Sequence, residues 1–142
     1  MPAQFDKDGV SFSYPDNWRL EREEVEDGWT VTLTSPGTAF ALITLDRRMP
    51  AVEEVAATVL EALRSDYPEL EAEPCVDMIA GEMAVGHDIH FVSLDLTNTC
   101  STRTIYAGAG TLLVMCQVND LEEEEYEPAL RGIRASLRAA ED

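Results

Sequence analysis

Turn residues divide this sequence into segments of strand length, and that spacing constrains the fold more than any other feature. Residues 29–34 alternate strictly, with Trp29, Val31 and Leu33 on one face and threonines on the other. Ser-Pro-Gly follows at residues 35–37, which is turn chemistry. Comparable segments predict strands at residues 9–14, 18–24, 29–34, 39–45, 75–80, 84–97, 100–106 and 111–118. Short connections of this kind favour antiparallel neighbours, so the sequence predicts a mostly antiparallel sheet.

Two further segments have helical spacing. The first places apolar side chains at helical intervals over residues 52–63, after Pro50 and before Pro68, which ends it. The second begins near Asp120, and Pro128 within it predicts a kink or a late start. Its apolar stripe consists of Tyr126, Leu130, Ile133 and Leu137. Strands joined by hairpins and covered by two main helices predict an α+β domain, and residues 1–142 are expected to form it as a single unit.

The charge balance excludes some partners. Ten Lys and Arg residues oppose 28 Asp and Glu residues, a formal net charge of −18. Phosphate binding depends on Lys and Arg, so nucleic acid is not expected as a partner, and neither is an anionic membrane surface.

The first residues show no signal-peptide pattern, and the longest apolar run, residues 111–118, is too short to cross a bilayer. The expected location is the cytoplasm.

Few side chains suggest chemistry. Cys75, Cys100 and Cys116 are widely spaced and form no disulfide or zinc pattern. His87, Asp88 and His90 form one cluster that could bind a metal or, beside Cys100, imitate a catalytic triad. Positions three apart on a strand point to opposite faces, so the two imidazoles should diverge. The sequence therefore predicts no catalytic residues, no metal site and no cofactor.

A polar face of the sheet is the strongest candidate for binding. Strand alternation gives one side of the sheet a series of small polar residues. The candidate binding face consists of Thr30, Thr32, Thr34, Ser93, Asp95, Thr97, Thr102 and Thr104. Two interpretations are open. The face is solvated or helix-edged and contains these residues only because they are favoured in strands, or it is an uncovered surface that binds a partner peptide or helix.

The opening of the chain resembles the PsbP-like domains, a group that also includes Mog-type Ran-binding import factors and bacterial DcrB-like proteins. Phe12 and Tyr14 lie on a strand, and Pro15, a polar pair and Trp18 follow it, as in that group. An Ile-x-Gly turn that ends at Gly81 and a last helix near residues 136–137 follow in the expected order. The resemblance implies an α/β/α sandwich around an antiparallel sheet of about six or seven strands. We expect structural roles for Tyr14, Pro15, Trp18 and Gly81.

The resemblance also implies accessory functions rather than catalysis. Members of the group assist photosystem assembly, bind a GTPase or act as chaperone-adaptors for type VI secretion effectors, and none of their sites can be transferred to this sequence. No transit peptide or lipobox cysteine is evident near residue 1, which counts against a photosystem or envelope role.

We therefore expect a non-catalytic binding or adaptor protein that contacts another protein through a sheet face or edge, as a monomer or homodimer. The alternatives are an enzyme or metal-binding protein that uses the His87, Asp88 and His90 neighbourhood, and a structural subunit of a homo-oligomer.

Overall fold

The computed structural model describes residues 2–139. In chain order the elements are β1 (Ala3–Lys7), β2 (Val10–Tyr14), β3 (Arg19–Val25), β4 (Gly28–Thr34), β5 (Phe40–Asp46), α1 (Val52–Asp66), β6 (Glu71–Ile79), β7 (Glu82–Ser93), β8 (Leu96–Ala107), β9 (Gly110–Asn119), α2 (Glu123–Ser136) and β10 (Arg138–Ala139). Neither helix in this part of the chain is long and apolar enough to cross a membrane.

Seven strands form the main sheet in the order β3-β4-β5-β9-β8-β7-β6, and every neighbouring pair is antiparallel. A small second sheet has the order β1-β2-β10. Two helices and a mostly antiparallel sheet confirm the predicted α+β class. The sequence prediction lacked β1, because Phe5 is the only buried residue of that strand and so leaves little periodic signal.

The β7–β8 hairpin corrects one prediction. Its turn lies at Leu94 and Asp95, which have φ angles of 53° and 63°, whereas the sequence predicted a turn at Asn98 and Thr99. Two consecutive positive φ angles are typical of a type I′ turn, which usually contains Asn or Gly. Leu94 gives no such signal, and Asn98 and Thr99 instead lie within β8.

The two faces of the main sheet are covered unequally. One face is buried against α2 and the small sheet, and we call it the α2 face. Its central side chains are fully buried, among them Val31, Leu33, Ile43, Leu112 and Val114. On the other face, which we call the α1 face, the 15-residue α1 packs on β7 and β8. Leu60, Leu63 and Tyr67 there join a smaller core with Ile89, Phe91 and Cys100.

Both helices begin without a side-chain cap from the residue immediately before them. Val52 at the start of α1 donates its N–H to the Tyr106 hydroxyl at 3.2 Å. Before α2, the Asn119 side-chain oxygen accepts the N–H groups of Leu121 and Glu122 at 3.0 Å. Pro128 lies inside α2, which continues past it to Ser136.

The residues with expected structural roles lie at turns and in the core. Trp18 is 6% exposed and packs edge-to-face on Tyr126, with ring centroids 6.0 Å apart. The backbone N–H of Trp18 donates to the Pro15 carbonyl at 3.0 Å and closes the β2–β3 turn. Tyr14 packs against the main core, and Gly81 has a φ of 79° in the β6–β7 turn. Their individual contributions to stability stay predictions.

Gly86 gives a direct test of the close approach between β7 and β8. A Cβ atom at Gly86 would overlap the Thr102 carbonyl, which belongs to the backbone and cannot rotate away. We expect Gly86→Ala to lower the free energy of unfolding by about 3 kcal/mol or more in urea denaturation.

Gly132 in α2 is the matched control, because a Cβ there meets nothing within 4 Å. Gly132→Ala should raise the free energy of unfolding by about 0.5–1 kcal/mol, since alanine favours a helix interior over glycine. Equal stability of Gly86→Ala and the unmodified protein would contradict the packing described.

Candidate functional site

The structure divides the eight residues of the candidate binding face among four environments. Thr30, Thr32 and Thr34 lie on the α1 face of β4, beyond the part that α1 covers. Ser93 ends β7 on the same face, while Asp95 lies in the hairpin turn.

Thr97 does not share the expected common face, and Thr102 and Thr104 are covered on it. Thr97 pairs with Val92 and lies on the α2 face, because the turn comes four residues earlier than predicted and places Thr97 in β8 rather than in β7. Thr102 and Thr104 lie on the α1 face but are 0% exposed. The alternating pattern placed them on a face correctly, but it gave no information about which strands α1 covers.

An uncovered group remains, and we call it the threonine surface: Thr30, Thr32, Thr34, Leu42 and Thr44. Cross-strand pairing places Thr30 opposite Thr44 and Thr32 opposite Leu42, so the group is contiguous on β4 and β5. Each of these residues is partly exposed, whereas Trp29, Val31 and Leu33 on the other face of β4 are buried.

His87 and His90 lie on opposite faces of β7 and cannot share a ligand. His87 faces α1, and burial, together with the positive charges of Arg103 and Arg64, lowers the pKa of its imidazole. Its Nδ1 is buried without a hydrogen-bond partner. His90 is exposed on the α2 face. Within residues 2–139, no three His, Cys, Asp or Glu side chains are grouped closely enough to hold a metal ion.

The cysteine that could have completed a triad is not activated. Burial raises the pKa of the Cys100 thiol to about 12, so the thiol stays protonated at neutral pH. Cys100 also lies on the α1 face, opposite Ile89, whereas Asp88 lies on the α2 face. The cysteine, histidine and aspartate that could have served as nucleophile, base and acid are therefore not arranged as a catalytic triad.

Arg103 organises a charged cluster that the sequence analysis missed. Its Nε donates to Asp77 and its Nη2 to Asp88, each at 3.0 Å. Its Nη1 donates to the carbonyl oxygens of Thr102 at 2.8 Å and His87 at 3.2 Å. These bonds use four of the five guanidinium N–H groups, so Arg103 joins β8, β7 and β6 rather than offering a free cation.

The register explains how Arg103 reaches so far. Arg103 on β8 pairs with Gly86 on β7, and Gly86 pairs with Cys75 on β6. Gly86 has no side chain, so the Arg103 side chain can cross β7 toward Asp77. A lone arginine in the uncharged stretch at residues 96–107, facing a strand glycine, is the signal that could have indicated this arrangement.

A cleft of about 510 Å³ lies beside this cluster, between α2 and the neighbouring strands β6, β7, β8 and β9. Its charged lining consists of Asp77, Asp88, Arg103, Glu123, Glu127, Arg131 and Arg134. Arg134 donates to the Ser101 hydroxyl at 3.1 Å and lies 3.6 Å from Glu127. Arg131 shares the same carboxylate at 3.5 Å. The arginines here are already paired with carboxylates, so the cleft does not present an open anion site.

Known structures share this fold. A protein from Bacteroides thetaiotaomicron aligns with a TM-score of 0.64 at 15% identity over 98% of this chain, and this chain spans 48% of that protein. PsbP (CyanoP) from Synechocystis sp. PCC 6803 aligns with a TM-score of 0.58 at 11% identity, covering 98% of this chain and 92% of that one. LpqN of Mycobacterium tuberculosis, which is involved in cell envelope biogenesis, aligns with a TM-score of 0.55 at 15% identity, covering 97% of this chain and 88% of that one.

These likenesses define a fold and not an activity. They confirm the expected PsbP-like fold relationship, while the Mog-type and DcrB-like relationships stay predictions. No family model matches the sequence, and no curated protein matches it.

The Arg103 cluster predicts a specific response to acid. Burial raises the pKa of Asp88, but hydrogen bonds from Cys75 and Arg103 outweigh it, so the pKa lies below its ordinary value. A lowered carboxyl pKa stabilises the fold above the unfolded value of about 3.9 and stops doing so as the pH falls through the folded value. We expect Asp88→Asn to lower the free energy of unfolding by about 1 kcal/mol near pH 7, because the carboxylate is partly exposed. That difference should shrink below about pH 4.

Asp6→Asn is the control, because it removes the same charge from an exposed position of β1. It should change the unfolding free energy by less than about 0.5 kcal/mol in urea titrations at each pH. A difference between Asp88→Asn and the unmodified protein that grows as the pH falls would show that the sign is wrong.

Proposed function

We propose that this chain is a non-catalytic accessory or adaptor protein that binds a partner protein on the threonine surface. One observation supports this most directly: α1 packs on β7 and β8 and leaves β4 and β5 without a helix over them. Antiparallel sheets commonly have one face packed on the core and the other exposed to solvent, and a large contiguous exposed patch is a candidate site for binding a partner.

Two of the four threonine hydroxyl groups on the threonine surface are hydrogen-bonded within the sheet. Thr30 Oγ1 and Thr44 Oγ1 lie 2.9 Å apart and share a hydrogen bond, and Thr44 Oγ1 also donates to the Trp29 carbonyl at 3.0 Å. With these two oxygens satisfied within the sheet, the methyl groups of Thr30 and Thr44 are left for contact with a partner. β-Branched side chains are also stiff, so little side-chain entropy is lost when they become buried.

The charges around the threonine surface limit the partner. Glu21 pairs with Thr32 and Glu23 pairs with Thr30, so two exposed carboxylates of β3 border this surface on the same face. Arg19, opposite Thr34, lies 3.1 Å from the Glu21 carboxylate, so the border stays acidic by one charge. The chain as a whole carries a formal charge of −18. Electrostatic complementarity therefore favours a partner whose apolar contact face is flanked by basic residues.

The alternative of an enzyme or metal-binding protein has less support. It depends on His87, Asp88 and His90 acting together, and the register sends His87 to one face and Asp88 and His90 to the other. Asp88 is also bound to Arg103 and accepts a hydrogen bond from the Cys75 thiol at 3.2 Å.

Site-specific crosslinking tests the proposed surface. A photoreactive amino acid at position 32 should crosslink a partner in native-cell lysate that position 97 does not, because Thr97 is exposed on the opposite face. With the purified partner, Thr32→Lys should weaken binding about tenfold or more, since a long cation would project from the contact surface. Thr97→Lys adds the same charge and should leave the affinity unchanged.

Titration calorimetry on the three proteins gives the comparison. Equal affinities for Thr32→Lys and the unmodified protein, or the same crosslinked partner from positions 32 and 97, would count against the threonine surface as the binding site.

A further inference from the structure

The outer strand β6 is a second surface that the proposed function does not use. It ends the main sheet and pairs only with β7, and within residues 2–139 no strand lies on its other side. Its nine residues leave a row of unpaired backbone groups. Such an edge is a template for pairing with another extended chain.

The direction of these backbone groups follows from the pairing of Pro74 on β6 with His87 on β7. The His87 N–H donates to Thr102 Oγ1, and its carbonyl accepts from Arg103, so both groups of His87 point toward β8. Pro74 is the β6 residue opposite His87, so the two residues form a non-hydrogen-bonded pair. The backbone carbonyl of Pro74 therefore points away from β7, toward the open edge. Residues two apart share this direction, so Ala72, Val76 and Met78 present free N–H and C=O groups.

The side chains of β6 are divided between its two faces. On the α1 face, Val76 and Met78 are 66% and 65% exposed, and Met83, which pairs with Met78 across the hairpin, is 65% exposed. On the α2 face, Glu71 and Glu73 are exposed carboxylates, and Asp77 is bound to Arg103. One side of this edge is therefore apolar and the other acidic.

The opposite edge of the sheet is protected. Strand β3 has charged residues on both faces, with Glu21 and Glu23 on one and Arg22 and Glu24 on the other. Charged side chains on both faces are a common device against unwanted strand pairing. On β6 the α1 face lacks that protection.

We propose that β6 accepts an extended segment of another protein as an added strand, and that this segment alternates basic and apolar residues. In an added strand, alternate side chains fall on opposite faces. Apolar residues would contact Val76 and Met78, while Lys or Arg residues would lie beside Glu71 and Glu73. A second copy of this chain fits poorly, because pairing β6 with itself would place these glutamates among like charges.

A designed peptide is the probe, and the full chain is the target. The peptide Lys-Val-Lys-Ile-Lys-Val-Lys should bind at least about tenfold more tightly than a peptide of the same composition with its lysines in one block. Both carry the same charge, so plain attraction to an acidic protein would bind them equally. Fluorescence anisotropy at physiological salt measures both affinities.

Two variants separate the edge from the rest of the surface. Met78→Lys should weaken binding of the alternating peptide about tenfold or more, because it removes the apolar contact and adds repulsion. Leu121→Lys replaces another exposed apolar residue, which is 77% exposed and outside the sheet, and should not weaken it. Because Met78 is largely exposed, Met78→Lys should keep the fold.

Amide exchange shows whether a strand is added. Binding should slow hydrogen exchange at the N–H groups of Ala72, Val76 and Met78, and methylation of alternate peptide nitrogens should abolish binding. Equal binding of the two peptides, equal effects of the two variants, or unchanged exchange at β6 would each overturn the proposal. So would a dimer in sedimentation equilibrium that Met78→Lys dissociates, since the edge would then be occupied by a second copy.

Discussion

A single helix cannot cover one face of a seven-stranded sheet, and the surface of this protein follows from that limit. Seven strands at their usual spacing are about 30 Å wide, whereas a helix with its side chains is about 10 Å across. On the α2 face, the small sheet and α2 together bury the three neighbouring strands β4, β5 and β9. On the α1 face, α1 alone is available and packs on β7 and β8. The threonine surface lies on one side of α1, and the exposed residues of the β6–β7 hairpin lie on the other.

The Arg103 cluster compensates for the thin cover at the β6 end. Few apolar contacts hold β6 there, since Val76 and Met78 point into solvent. Arg103 replaces them with hydrogen bonds from β8 to Asp77 on β6 and to Asp88 on β7. A guanidinium that is largely buried needs such partners, because an unpaired buried charge would be strongly destabilising. The outer strand is thereby fixed in place while its apolar face remains accessible.

Much of the fold was readable from the sequence because its signals are local. Alternation at residues 29–34 and the proline boundaries of α1 depend on neighbouring residues alone, and they identified these elements correctly. The turn at Leu94 and Asp95 was missed because its left-handed residues lack the usual glycine or asparagine. The coverage of Thr102 and Thr104 could not be read, because it depends on where a distant helix packs. The Arg103 cluster likewise joins residues that are far apart in the chain.

Thiol labelling tests the unequal coverage of the α1 face most directly. In a Cys75→Ser background the remaining native cysteines, Cys100 and Cys116, are buried. Thr32→Cys should react with a maleimide at the rate of an exposed thiol, and Thr104→Cys should react at least an order of magnitude more slowly, because its labelling requires local opening beneath α1. Equal rates at the two positions, or a protected thiol at position 32 in the isolated protein, would contradict this account of the sheet.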